Sequence, residues 1–140
     1  MSRYVVDASV AIKWYLPEIH DSEAQRLLSG GHDLLAPDLL FAEVGNILWK
    51  RVRAEQMTDM EAQTILQSLG DLPLLVVPSW PLVLLALEIA CQTQRTVYDS
   101  LYLALAVREQ AVLVTADAKF VHSIQITPMA RYILWVEDIP

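Results

Sequence analysis

Tyr4-Val5-Val6-Asp7-Ala8-Ser9 is the stretch on which the fold turns. Three apolar residues in a row suit a strand buried on both faces, as in a parallel sheet covered by helices. The run then stops at a carboxylate. In open α/β sheets the ligand crevice lies beyond the carboxyl ends of the strands, so Asp7 stands where chemistry is expected. Near the other end of the chain, Ala111-Val112-Leu113-Val114-Thr115-Ala116-Asp117 repeats the arrangement. Two strands therefore aim carboxylates at one sheet edge.

Between them, strand and helix signals alternate. Val10 to Leu16 reads as a short helix closed by Pro17, and Ser22 to Leu28 as a second ended by Gly30-Gly31. Leu34-Leu35-Ala36 is a short strand. Asp38 is expected to N-cap a helix to about Arg53, with Leu40, Val44, Ile47, Leu48 and Arg51 on one stripe and Glu43 and Asn46 beside it. Thr58 to Glu61 is a capping-box pattern opening a helix to about Leu69. Leu74 to Val77 is a strand stopped by Pro78, and Ser79 with Pro81 begins a helix to about Thr93. Thr96 to Asp99 opens a helix that is apolar nearly all round through Val107, hence buried. A short helix follows Asp117 to about Ser123, and Tyr132 to Val136 is the last strand. The alternation, without a tight hairpin, predicts a three-layer α/β/α sandwich with a mostly parallel central sheet, one domain over residues 1–140.

Composition narrows the function classes. A chain of 140 residues has room for a proper core without disulfides, and its lone Cys91 allows none internally, in keeping with a cytoplasmic location. The hydrophobic share of 54% and mean hydropathy of +0.34 imply a sheet covered on both faces, an apolar interface between subunits, or both. No membrane span is expected. The longest candidate, Trp80 to Cys91, contains Pro81 and Glu88 and falls short of the roughly 20 apolar residues a crossing needs. A signal peptide is not expected either, because Asp7 interrupts the first apolar run. With 17 acidic against 10 basic residues, the net charge of −7 argues against a broad basic face for nucleic acid. It leaves room for a nucleic-acid substrate, since carboxylates that hold divalent cations present positive charge to a phosphate.

Each prominent acid has a local explanation. Asp7 is placed to cap the following helix, Asp99 to close a capping box with Thr96, Asp117 to sit in a turn, and Glu43 to be solvated. Singly, those explanations are the better ones, because caps and turns far outnumber active sites. Together they weaken: acids carried on buried elements and gathered without a counter-charge repel one another and resist desolvation. A divalent cation resolves that conflict. An all-oxygen set suits Mg²⁺ or Mn²⁺, while His20, His32 and His122 show no zinc-ligand spacing. Such acidic metal sites serve phosphodiester hydrolysis.

The segments Asp7-Ala8-Ser9-Val10-Ala11-Ile12-Lys13-Trp14-Tyr15-Leu16-Pro17-Glu18, Pro37-Asp38-Leu39-Leu40-Phe41-Ala42-Glu43-Val44, Thr96-Val97-Tyr98-Asp99-Ser100-Leu101-Tyr102-Leu103-Ala104 and Thr115-Ala116-Asp117-Ala118-Lys119-Phe120 resemble, in order, the motifs of PIN-domain nucleases. The likeness spans essentially the whole chain and is nearest to the VapC-type toxins of toxin–antitoxin modules. The resemblance implies a Mg²⁺- or Mn²⁺-dependent ribonuclease acting on RNA, usually a homodimer, held inactive by a cognate antitoxin. It places Asp7, Glu43, Asp99 and Asp117 on the family's metal-site acids, and Ser9 and Thr115 on its supporting hydroxyls. One position departs: where some relatives carry a further acid, this chain has Lys119, which leaves the number of metal ions open.

Other residues have a functional and a structural reading. Lys50, Arg51 and Arg53 form a small basic patch suited to guiding RNA, or a solvated helix end. Lys13 and Lys119 suit phosphate contact or pairing with nearby acids. Trp14, Tyr15 and Trp49 suit base stacking, but packing explains them better. A phosphoacceptor signalling domain would need an Asp after the middle strand, where the chain has Pro78-Ser79. A non-catalytic binding protein with a degenerate site, or a housekeeping RNA-processing nuclease, are the remaining alternatives.

Overall fold

The computed structural model describes residues 2–140. Its strands are β1 (Arg3–Val6), β2 (Asp33–Pro37), β3 (Leu75–Val77), β4 (Val112–Thr115) and β5 (Ile133–Trp135). They form a five-stranded sheet in the order β3-β2-β1-β4-β5. Every pairing is parallel, Val5 lying opposite Leu35 on one side and Leu113 on the other. The central strands are the apolar runs: Val5, Val6, Leu35, Ala36, Leu113 and Val114 are fully buried. β3 is the exposed edge, with Leu75 and Val76 open to solvent.

Parallel neighbours need crossovers, and these supply the helices. They are α1 (Ala8–Ala11), α2 (Asp21–Ser29), α3 (Leu39–Arg53), α4 (Asp59–Asp71), α5 (Val83–Thr93), α6 (Val97–Glu109) and α7 (Ala118–Gln125). The chain steps outward from β1 through β2 to β3, then returns across the sheet to β4 and β5. Right-handed crossovers in these two directions cover opposite faces, which gives the expected sandwich of three layers. α6 is the central helix of its layer: Ser100 to Ala106 are all buried, as its unbroken apolar run predicts. Among the described residues no helix is long and apolar enough to cross a membrane.

The order of strands also locates the crevice. β1 and β4 lie side by side, yet the chain leaves them in opposite directions, which makes the gap beyond their carboxyl ends the topological switch point.

Several local expectations hold and two are corrected. Thr58 and Glu61 form the reciprocal capping box. The first helix is shorter than Val10 to Leu16: α1 ends at Ala11 and continues only as a 3-10 turn, Ile12–Trp14. Asp38 occupies the position ahead of α3 but does not cap it. Its backbone is already helical, at φ −61° and ψ −17°, and its carboxylate accepts the Ser79 hydroxyl instead. The Asp38 amide donates to Val77 O at 2.9 Å, so the residue ties α3 to the edge strand rather than starting the helix.

Candidate active site

Asp7 follows β1 directly, and Thr115 is the last residue of β4, so the parallel register brings them together at the switch point. Thr115 Oγ1 donates to Asp7 Oδ2 at 2.5 Å, and Ser9 Oγ donates to Asp7 Oδ1 at 2.5 Å. Asp7 Oδ1 also accepts Val10 N at 3.2 Å, which caps α1 as the local reading expected. Both hydroxyls accept backbone protons in turn: Ala116 N donates to Ser9 Oγ at 3.0 Å and Asp117 N to Thr115 Oγ1 at 3.2 Å. Each hydroxyl has one proton, and both are committed to Asp7. The ends of β1 and β4 are thus joined by a closed polar network around one carboxylate.

That carboxylate is 8% exposed, and burial pushes it from 3.8 up to about 6, against the opposing pull of Ser9, Thr115 and Val10. Asp99 nearby raises it further. Asp99 lies in the first turn of α6, where Thr96 Oγ1 accepts its amide at 3.0 Å. Only that half of the anticipated capping box forms, because the Asp99 side chain turns toward Arg95. Burial raises Asp99, the Arg95 guanidinium pulls it down, and Asp117 raises it again.

Asp117 sits between β4 and α7 and caps the helix through Phe120 N at 3.2 Å. Its other oxygen, Oδ2, accepts Arg95 Nη2 at 2.8 Å. Glu43, one turn into α3, is half-buried, and Tyr102 of α6 donates its phenolic proton to Glu43 Oε1 at 2.6 Å. Burial raises Glu43, the Tyr102 bond lowers it, and the Asp99 charge raises it. Asp99 is therefore the electrostatic neighbour of Asp7, Glu43 and Asp117 alike. The sequence-predicted acids meet along one edge, and Asp7 and Asp117 fill their local capping roles as well.

Among the described residues no three His, Cys, Asp or Glu side chains stand close enough to hold a metal ion. The Asp7 oxygens are taken by hydroxyls, and Asp99 and Asp117 both reach for Arg95. The chemistry of the donors nevertheless fits a hard divalent cation, because four carboxylates and two hydroxyls are all oxygen ligands. Burial and mutual repulsion leave Asp7, Glu43 and Asp99 with less counter-charge than their ionised forms need.

Two residues of this edge carried no role in the sequence reading. Arg95 lies ahead of the α6 cap, outside any motif; an arginine just before a helix whose first turn holds an acid was the available signal. Tyr102 is lost in the apolar run Leu101 to Val107, although a buried phenol must find a partner. Of the other candidates, Lys13, Arg51 and Trp14 resolve toward structure. Lys13 is buried and its Nζ lies 3.1 Å from Glu18 Oε1, while Arg51 Nη2 lies 2.8 Å from Glu18 Oε2. Trp14 is core, donating from Nε1 to Ala24 O at 2.9 Å. Trp49 is exposed under the Arg53 guanidinium. Lys119 is exposed. Lys50 lines a cleft of about 400 Å³ that begins at Ala8 and Glu43 and includes Asn46 and Tyr98.

Comparison with known proteins shows the family and the fold. The family model described as PIN domain matches residues 4–123. Ribonuclease VapC3 of Pyrobaculum aerophilum is 37% identical over 117 residues, which cover 82% of this chain and 89% of that protein. The crystal structure of PAE2754 from the same organism superposes with a TM-score of 0.67 at 26% identity, covering 97% of this chain and 85% of that one. VapBC2 from Rickettsia felis, solved bound to a DNA fragment from its promoter, superposes with a TM-score of 0.63 at 16% identity, covering 95% and 98%; at that identity the likeness is one of fold.

Proposed function

The chain belongs to the PIN-domain family as a homologue of the VapC ribonuclease toxins, and from that premise we propose that its acidic edge cleaves RNA with the help of Mg²⁺ or Mn²⁺. The observation that carries this reading is the placement of Asp7, Glu43, Asp99 and Asp117 along one edge, where Asp99 is the charged neighbour of the other three and Ser9 and Thr115 hold Asp7. These acids would hold the cation. When bound, it lowers the pKa of a coordinated water and neutralises charge on the phosphate.

The chain's own residues do the rest. Ser9 and Thr115 donate to Asp7 and so favour its ionised, ligating form against the cost of burial. Tyr102 does the same for Glu43 and fixes its rotamer. The cleft beside Glu43 gives an RNA strand a path past the acids, with Lys50 offered to a phosphate and Tyr98, largely exposed, to a base. An RNA substrate suits a cytoplasmic activity, in keeping with the lone Cys91.

The toxin role adds protein partners. Gly45, Leu48, Trp49, Val52, Ala62 and Leu66 line an apolar groove of about 420 Å³ between α3 and α4, suited to a segment of a cognate antitoxin. Trp80 and Leu84 are about 80% exposed, and Leu87 lies half-open beside them; we assign this apolar face to a homodimer. Trp14, by contrast, is core and has no part in either surface. The test of function is incubation of the purified chain with labelled RNA. Cleavage is expected with Mg²⁺ or Mn²⁺ and is expected to stop in excess EDTA; undiminished cleavage in EDTA would overturn the metal-dependent reading.

A further inference from the structure

Among the described residues Arg95 is the one cation inside the acidic edge. Its Nη2 lies 2.9 Å from Asp99 Oδ2 and 2.8 Å from Asp117 Oδ2, so a single nitrogen joins the two carboxylates. The guanidinium carbon stands 5.0 Å from the centroid of the Phe120 ring, which gives the group an aromatic floor. Its Nε is buried and has no hydrogen-bond partner among the described residues.

Together these contacts describe a pairing that is tight in charge and incomplete in geometry. A guanidinium meets carboxylate best as a fork, with parallel bonds from two nitrogens to one carboxylate. Here both bonds leave from Nη2, and the Nε donor has lost water without gaining an acceptor. A buried donor left unsatisfied costs free energy that a displaced guanidinium would recover in solvent. The side chain is also 19% exposed, so it has a route outward along Phe120.

We propose that Arg95 is the resident counter-ion of the acidic edge: it bridges Asp99 and Asp117 while no divalent cation is bound, withdraws from them when one binds, and thereby sets the affinity for metal. The proposal rests on the reading that these acids hold a cation. It follows from the order of charge: a monovalent group that satisfies Asp99 and Asp117 lowers their repulsion before metal arrives, and repels a doubly charged ion placed against the same oxygens. Arg95 acts here through the acids and is a positioning residue.

The test compares Mn²⁺ binding, read as free Mn²⁺ by electron paramagnetic resonance, for wild type, Arg95→Met and Arg95→Lys, with metal-free melting curves on the same samples. Methionine keeps the apolar stem over Phe120 and removes the charge. Arg95→Met is expected to bind Mn²⁺ on the order of tenfold more tightly than wild type, with a metal-free melting temperature that is lower or unchanged. Arg95→Lys is expected to fall between. A purely structural arginine would lower the melting temperature without tightening Mn²⁺. Should the methionine variant fail to fold, the wild type decides by nitrogen-15 spectroscopy: the Arg95 Nε–H resonance should lose its protection from exchange as Mg²⁺ saturates the protein. Equal or weaker Mn²⁺ binding by Arg95→Met, or an Nε–H that stays protected at saturating Mg²⁺, overturns the proposal alone. Mn²⁺ binding by neither wild type nor variant overturns the metal-site reading, and the proposal with it.

Discussion

Tyr102 Oη and Glu43 Oε1 lie 2.6 Å apart, on α6 and α3, residues separated by 59 positions in the chain. The bond gives a buried phenol its partner and a half-buried carboxylate its donor, so neither is well satisfied without the other. Burial and the adjacent Glu43 charge also push the phenol far above its ordinary pKa, keeping it a donor at any working pH. Tyr102→Phe is therefore expected to cost roughly 1 to 2 kcal/mol of stability, the loss of one charge-assisted bond in a partly exposed setting. Urea unfolding measures it; a variant as stable as wild type would show that Glu43 finds another donor.

Asp7 is expected to make the metal-free protein more stable at mildly acidic pH. Its carboxyl is raised from 3.8 to about 6, so between those values the native state binds its proton more firmly than the unfolded chain does. Stability then falls as pH rises through that window, by roughly 1.4 kcal/mol between pH 5 and pH 7 from this group. Glu43 and Asp99, also raised, act in the same direction. In EDTA, wild type should lose more stability over that interval than Asp7→Asn. Parallel stability curves for the two would contradict the burial of an ionised Asp7.

Lys13 and Glu18 give a prediction about stability that leaves the active edge alone. Lys13 is 6% exposed and Glu18 is its only ion-pair partner among the described residues. Glu18→Gln strands a buried ammonium and should cost about 2 to 3 kcal/mol, less than a fully enclosed pair because Glu18 is itself 22% exposed. Lys13→Met removes the charge that needs a partner and should cost distinctly less. If the two variants are equally stable, Lys13 is not dependent on Glu18.

Lys50 tests the cleft as the path of the RNA. Its ammonium is exposed and lines the cleft beside Glu43. Lys50→Ala should weaken RNA binding several-fold, and the slope of log affinity against log salt should fall by about 0.7, the loss of one phosphate contact to a single strand. Protein stability should not change. An unaltered salt slope would remove Lys50 from the RNA path.

The central sheet and its acids were legible because burial writes itself into sequence. Val5-Val6 and Leu113-Val114 could be recognised as doubly buried strands, and the residue after each is fixed at the carboxyl edge by the parallel topology. Thr58 with Glu61 was equally readable, since a capping box is local. Asp38 was misread because its carboxylate answers to Ser79, on the far side of two helices and a strand, and no local pattern reports such a bond. Arg95 was missed for the same reason: its bond to Asp117 depends on how α6 and β4 pack. The inference that the acids lack any counter-charge was accordingly too strong. The charge is there, supplied by Arg95, which the sequence sets four residues ahead of Asp99 and the fold brings to Asp117.

The central claim is that Asp7, Asp99 and Asp117 act together as a cation site rather than only as caps, although Asp7 and Asp117 do cap α1 and α7. Asparagine caps about as well as aspartate, so the exchange separates the two roles. The decisive measurement is a set of melting curves for wild type, Asp7→Asn, Asp99→Asn and Asp117→Asn across a Mn²⁺ titration, with RNA cleavage followed on the same samples. Wild type should gain stability from Mn²⁺ by mass action. Each variant should match or exceed wild type without metal, except that Asp99→Asn and Asp117→Asn also loosen Arg95 and are held to the metal response alone. All should lose most of the Mn²⁺-dependent gain and most of the cleavage. A wild type that Mn²⁺ does not stabilise, or variants that respond to it and cleave as wild type does, would contradict the account and leave these acids as caps.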